Sequence, residues 1–237
     1  MLILALDTTS RSGSIALARD GEVLGCHVGT PDRTHAERLP ADLLAELERH
    51  RLALADVDLF GVAAGPGSFT GLRIDIATMQ GLAFACDRPI VAVSALDALA
   101  VLGSRQGEDA LVAAWIDARR NEVFSALYAC TGEPPRLIDP AAVDRPDRTL
   151  ARWGSLIAGK IVRFIGDGAA VYRDVLAALD HPGIEIVTEP PPLAPAIATI
   201  AHAIAKSGGA VAPHAVRPLY VRRPDAELAR ERRRTGA

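Results

Sequence analysis

An α/β fold in two domains, each a mixed sheet flanked by helices, is what this sequence predicts, and three observations predict it. Apolar runs short enough for strands alternate with longer segments of helical period. A strand ending in an acid, then a turn, then a returning strand occurs twice, at Asp7 and at Asp117, about 110 residues apart. A strand entering a glycine turn that opens a helix also occurs twice, at Gly65–Gly71 and at Gly166–Gly168. The 237 residues suffice for two small domains of roughly 100 residues each, and an apolar fraction of 49% supplies a full core.

The first half opens with strands at Leu2–Leu6, Gly13–Ala18 and Glu22–Val28, the last two joined by the hairpin signal Arg19-Asp20-Gly21. Thr34 and Glu37 have capping-box spacing for a helix reaching about Arg51. Pro40 allows a later start, at Leu39. Leu39, Leu43, Leu44 and Leu47 form one apolar stripe on that helix. Asp58–Ala64 is the next strand, and Gly65-Pro66-Gly67-Ser68-Phe69-Thr70-Gly71 the turn after it. The helix Leu72–Cys86 is apolar nearly all round, so both of its sides should be covered. A strand at Ile90–Val93 and a helix from Ala95 to Leu102 complete the ribonuclease H-like order, and Gly103–Asp109 reads as the domain boundary.

The second half restarts with Leu111–Asp117 and Glu122–Cys130. A proline-rich connection (Pro134, Pro135, Pro140, Pro146) follows, then an ambiguous segment at Leu150–Ile157, a strand at Ile161–Ile165 and a helix from the Gly166 turn through Leu179. Ile184–Val187 is the last clear strand, Pro190–Pro192 a rigid spacer, and Ala194–Lys206 a helix. Domains are expected at 1–104 and 105–215, with the helix near 194–207 packing back on the first, and a partly disordered tail at 216–237. The tail arginines, Arg222, Arg223, Arg230, Arg232, Arg233 and Arg234, read as a solvated end.

Composition narrows the chemistry. A net charge of -3 and 4% aromatic residues argue against autonomous nucleic-acid binding. The three scattered cysteines form neither a disulfide framework nor a metal motif and suit a reducing cytoplasm. The start, Met1 to Asp7, reads as a strand and not a signal peptide, and no apolar run reaches membrane-spanning length. His35 has no second histidine one helical turn on, so no metal pair forms and no metal is expected. Cys26 and His27, neighbours on a strand, point to opposite faces and cannot act as nucleophile and base.

Two readings of the turns stand at this point. Asp7, Thr8 and Thr9, with Gly65, Gly67, Ser68, Gly166 and Gly168, sit where a phosphate would be held in a nucleotide-binding α/β protein. The turn at Gly65 nevertheless lacks a phosphate-loop lysine, and Asp167 would set a negative charge beside a phosphate. The alternative is a capped hairpin and tight helix-on-sheet packing.

Ile3-Leu4-Ala5-Leu6-Asp7-Thr8-Thr9, Gly65-Pro66-Gly67-Ser68-Phe69-Thr70-Gly71-Leu72-Arg73-Ile74 and Asp117-Ala118-Arg119-Arg120-Asn121-Glu122-Val123-Phe124 together resemble the TsaB (YeaZ) family, with support from Pro89–Ser94 and Pro218–Arg222. The resemblance runs over nearly the whole chain. It implies two ribonuclease H-like domains of the actin-like ATPase superfamily and a non-catalytic subunit. Its partners would be TsaD, the catalytic paralogue, and TsaE, an ATPase. The complex would transfer threonylcarbamoyl from threonylcarbamoyl-AMP to N6 of the adenosine 3′ to the anticodon in tRNAs reading A-starting codons. The resemblance also implies a homodimer when alone, tRNA contact only through the complex, and no intrinsic cofactor, with ATP or ADP bound only in the complex. The docking surface it implies lies on the helices after Thr34 and Gly71, through Leu39, Leu43, Leu47, Leu72, Arg73, Ile76, Met79, Gln80 and Ala83. The competing reading is an ATPase or small-molecule kinase of the same superfamily, using Asp7 and the two glycine turns.

Overall fold

The computed structural model describes residues 1–10, 12–30, 34–131 and 134–222. The arginines expected in the tail at Arg223, Arg230, Arg232, Arg233 and Arg234 lie outside these. Among the described residues, ten strands form two five-stranded sheets. The first contains β1 (Leu2–Asp7), β2 (Ser14–Arg19), β3 (Glu22–Val28), β4 (Leu59–Gly65) and β5 (Ile90–Ser94), in the order β3-β2-β1-β4-β5. The second contains β6 (Leu111–Asp117), β7 (Val123–Ala129), β8 (Arg136–Asp144), β9 (Val162–Ile165) and β10 (Ile184–Val187), in the order β10-β9-β6-β7-β8. With β6 taken as the counterpart of β1, the two orders are the same. In each sheet the first three strands are antiparallel and the last two join parallel to the first.

Strand periodicity explains how the sheets stack. In β1, Leu2, Leu4 and Leu6 face one side, and Ile3 and Ala5 the other. The leucines meet α1 (His35–Arg49) and α2 (Phe69–Ala85). Ile3 and Ala5 meet α7 (Ala194–Lys206). In β6, Val112, Ala114 and Ile116 join that same inner core, whereas Leu111, Ala113 and Trp115 face α4 (Pro146–Ile157), α5 (Asp167–Val171) and α6 (Arg173–Ala177). The layers therefore run helix, sheet, helix, sheet, helix.

The middle layer is exchanged between the halves. Helix α3 (Ala95–Gly103), encoded in the first half, packs on β6 and β9 of the second sheet, and α7, encoded in the second, covers β1, β2, β4 and β5. Its start is fixed by Ser14, whose Oγ accepts the Ala194 N–H at 3.0 Å. The buried Arg163 of β9 ties down the connection between halves, donating to Gly103 O (2.6 Å), Glu108 (2.6 Å) and Glu185 (2.8 Å).

Five element expectations change. Helix α1 begins at His35, not Leu39, because the Glu37 carboxylate accepts the Thr34 N–H (3.0 Å) and hydroxyl (2.6 Å) and ties the chain before Pro40. Helix α2 begins at Phe69, three residues early, because Ser68 caps it by accepting the Gly71 N–H at 3.3 Å. The proline-rich connection contains β8, which tolerates Pro140 because it is an edge strand. Pro146 then opens α4, resolving the ambiguous segment. The helix expected through Leu179 is broken at Tyr172 into α5 and α6.

Candidate functional site

The acid at the end of β1 is turned inward. Asp7 is buried, and its carboxylate accepts the Thr9 N–H (2.8 Å), the Thr9 hydroxyl and the Ser10 hydroxyl (3.1 Å). Burial pushes its pKa up against those hydrogen bonds. Thr8 points to α2, its N–H donating to Asp75 Oδ2 at 2.6 Å and its hydroxyl to the Gly71 carbonyl at 2.9 Å. Asp75 is fully buried, and its second oxygen has no hydrogen-bond partner among the described residues. Desolvation, then the charge of Asp7, hold the Asp75 carboxyl well above the usual carboxylate range. Sequence reasoning passed over Asp75; a single acid inside the apolar run Leu72-Arg73-Ile74-Asp75-Ile76 was the available signal.

The glycine turn is packed by its own chain. A Cβ on Gly65 would lie 2.8 Å from the Leu219 carbonyl oxygen, and its φ of +110° excludes most side chains. Thr9 closes on Gly67 (2.7 Å to an added Cβ) and the Thr8 carbonyl on Gly71 (2.4 Å). The hydroxyl of Ser68 is committed to the helix cap.

In the second domain Asp117 stands at the matching strand end. Its Oδ1 accepts the Arg119 N–H at 2.9 Å, and its own N–H donates to Asp167 Oδ1 at 2.9 Å. Gly166, at φ +117°, brings its Cα face against the Trp115 carbonyl, and Gly168 packs on the backbone of Ile116. Between the domains lies a cleft of about 290 Å³. Thr9 and Ser10 line one wall, Gly166 and Asp167 another, and Pro190–Pro192 a third. Of the eight residues expected around a phosphate, the structure thus brings Thr9 and Gly166 to this cleft, while Gly65, Gly67 and Ser68 are not among its described lining. That lining offers a carboxylate and no lysine or arginine, an unfavourable setting for a phosphate chain. Among the described residues no three His, Cys, Asp or Glu side chains converge on a common point.

The expected docking residues divide by burial, and most of that expectation is corrected. Leu39, Leu43, Leu47, Ile76, Met79 and Ala83 are all buried in the outer core of the first domain, because the stripes they form face β1, β2 and β4, and Leu72 is buried beside Gly65. Gln80 is half-buried and donates to the Pro213 and Val216 carbonyls. Only Arg73 is exposed. The open face of α2 is the opposite one, through Phe69, Thr70, Arg73, Ala77, Gly81 and Phe84. Phe84 is 80% exposed and Phe69 44%. A Cβ on Gly81 would meet nothing within 4 Å. This face is apolar apart from Arg73 and the Thr70 hydroxyl.

Two strand-order 3-2-1-4-5 sheets back to back, with helices exchanged between them and a cleft at their joint, define the two-domain actin-like class. Component A of (R)-2-hydroxyglutaryl-CoA dehydratase from Acidaminococcus fermentans shares this fold, with a TM-score of 0.53 over 87% of this chain at 14% identity. Much nearer in sequence is YeaZ from Pseudomonas aeruginosa, at 33% identity and a TM-score of 0.79, covering 92% of this chain and 99% of that one. The Bacillus subtilis tRNA threonylcarbamoyladenosine biosynthesis protein TsaB is 30% identical over 96% of each chain. Residues 25–229 also match the family model described as TsaD, tRNA N6-adenosine threonylcarbamoyltransferase. The chain belongs to the TsaB (YeaZ) family.

Proposed function

We propose that this chain works in tRNA threonylcarbamoyladenosine biosynthesis as a non-catalytic subunit that docks a TsaD-type catalytic paralogue through the outer face of α2. The transfer to N6 of the adenosine 3′ to the anticodon takes place on that partner, with TsaE as the ATPase, tRNA bound only through the complex, and ATP or ADP held only there. The setting is the cytoplasm, and without the paralogue two copies pair through the same face.

The observation that carries the docking surface is the exposure of Phe69 and Phe84 at either end of a face whose middle is Ala77 and Gly81. A large exposed aromatic at each end supplies anchors, and small residues between them let a second helix approach closely. Gly81 weakens an exposed helix while leaving its space open, which its own fold does not need. The non-catalytic part is supported by the first hairpin and the glycine turn: the hydroxyls of Thr9 and Ser10 are held by Asp7, that of Thr8 by the Gly71 carbonyl, and that of Ser68 by the Gly71 N–H. These commitments also weigh against the ATPase or kinase reading, as does the acidic, cation-free described lining of the cleft.

The test is co-purification with the TsaD paralogue, comparing wild type with Ala77→Arg and Gly81→Arg. Both positions are exposed, so the melting curves should stay near wild type while retention of the partner falls at least about tenfold. Undiminished retention in both variants would place the interface elsewhere.

A further inference from the structure

Residues 211–222 leave the first domain and end on the second. Val211 pairs with Ile90 at the sheet edge. Gln80 donates to Pro213 O at 2.7 Å, and the Val216 side chain is buried in the outer core. The Leu219 N–H donates to Ala64 O at 2.7 Å, so the segment lies directly on the glycine turn. Tyr220 then stacks on Phe69 with ring centroids 5.5 Å apart. Arg73 stands 4.0 Å over the same Phe69 ring, its Nε 3.4 Å from the Tyr220 hydroxyl. Two residues on, Arg222 has reached the other domain. Its Nη1 donates to Ala118 O at 2.7 Å, its Nη2 pairs with Glu122, and it lies 5.5 Å from the Phe124 ring centroid.

What Arg222 grips is a left-handed turn. Arg119, Arg120 and Asn121 have φ of 59°, 56° and 57°. Residues with a Cβ visit this conformation singly; three in series are costly. The turn is closed by Ala118 N–H to Glu122 O and Glu122 N–H to Arg119 O, both 3.0 Å. Arg222 binds its two ends, Ala118 and Glu122. Strain of this kind persists only where the surroundings over-determine it.

We infer that residues 217–222 are a clasp coupling the exposed start of α2 to the left-handed turn at 117–122. Tyr220 and Phe69 are 40% and 44% exposed, within reach of a protein seated on α2. Contact with Phe69 and Arg73 displaces Tyr220, Arg222 loses its placement, and the turn relaxes beside the cleft wall at Ile116. The identity of the displacing protein rests on the docking reading above; the coupling is a property of the free chain and is tested there.

Hydrogen exchange on the full chain, without any partner, is measured for wild type, Tyr220→Ala, Tyr220→Phe and Arg222→Ala. The ring and hydroxyl of Tyr220 engage Phe69 and Arg73 of the first domain, yet Tyr220→Ala should speed exchange at the Ala118 and Glu122 amides by about three- to tenfold, as should Arg222→Ala. Tyr220→Phe keeps the ring stack and should hold both amides within about twofold of wild type. Acceleration confined to the Phe69–Leu72 end in Tyr220→Ala overturns the clasp. Should Tyr220→Ala unfold throughout, Phe69→Leu at a half-exposed position takes its place, and unchanged exchange at Ala118 and Glu122 there overturns it equally. Since no partner is present, these outcomes are independent of whether α2 docks.

Discussion

The two sheets share one strand order, but the glycine turn of the first opens a helix of 17 residues, and that of the second opens a helix of five. The acids at the matching strand ends differ in the same sense. Asp7 is sealed inside by its own loop and by α2, whereas Asp117 sits at the rim of a turn held by Arg222. One half has turned a glycine corner into a long helix with an apolar outer face. The other keeps its corner short, breaks its helix at Tyr172 and uses it as cover for Trp115 and Phe164. Duplicate topology therefore does not carry duplicate surfaces, because the helices after the two turns extend to different lengths.

The sharpest way to break this comparison is at the corners. Gly166→Ala puts a Cβ about on top of the Trp115 carbonyl oxygen (2.0 Å) in a left-handed backbone and should cost more than about 4 kcal/mol, read from denaturant midpoints. A cost under about 1 kcal/mol would mean the second corner is looser than the first.

Within the first domain the two faces of α2 should separate cleanly. Met79→Ala, at a fully buried position, should cost about 2–5 kcal/mol. Phe84→Ala should stay within about 0.5 kcal/mol in chemical denaturation while weakening retention of the paralogue. A charge at Met79 would therefore report on folding and not on docking.

The two open helix glycines sharpen the contrast between the domains. Gly81 on α2 and Gly154 on α4 each have nothing within 4 Å of an added Cβ, so both alanine variants should gain about 0.5–1 kcal/mol in thermal melts. Only Gly81→Ala should also reduce partner retention. Equal effects on retention would dissolve the distinction between the helices.

The last effect is a pH profile. The folded-state pKa of Asp75 is raised, so its native burial costs nothing below the unfolded value of about 3.9, where both states are protonated. Between that value and the raised folded value the unfolded chain ionises while the folded carboxyl stays protonated, so wild type loses stability as pH rises across this window and no further above it. Asp75→Asn keeps an acceptor for the Thr8 N–H and should gain on wild type progressively from about pH 4 upward, levelling above the folded pKa. Parallel profiles would mean the carboxyl is not held protonated.

Much of this was readable beforehand because period and punctuation carry it. The alternation in Leu2–Leu6, the hairpin at Asp20-Gly21 and the doubled acid-turn pattern are local, and they led to the right class. Edge strand β8 was hidden because Pro140 signals a break, and only its place at the sheet margin makes it tolerable. The direction of the α2 stripe was hidden for a different reason. A helix apolar all round does not say which side meets its own sheet, and the answer depended on where β4 lies. The clasp joins residues 147 apart at Arg73 and Tyr220, a pairing no local pattern contains.

The exchange of α3 and α7 has a consequence for synthesis. The inner face of the first sheet, Ile3, Ala5, Ala63 and Val93, is covered by Ile197, Ala198 and Ala201. Those residues leave the ribosome roughly 100 to 190 residues after the strands they cover, a wait of about 5–40 s at ordinary elongation rates. The earliest-made sheet is thus the last to be closed, and during that interval it presents an apolar surface that a chaperone, or the second copy of the same nascent chain, can occupy.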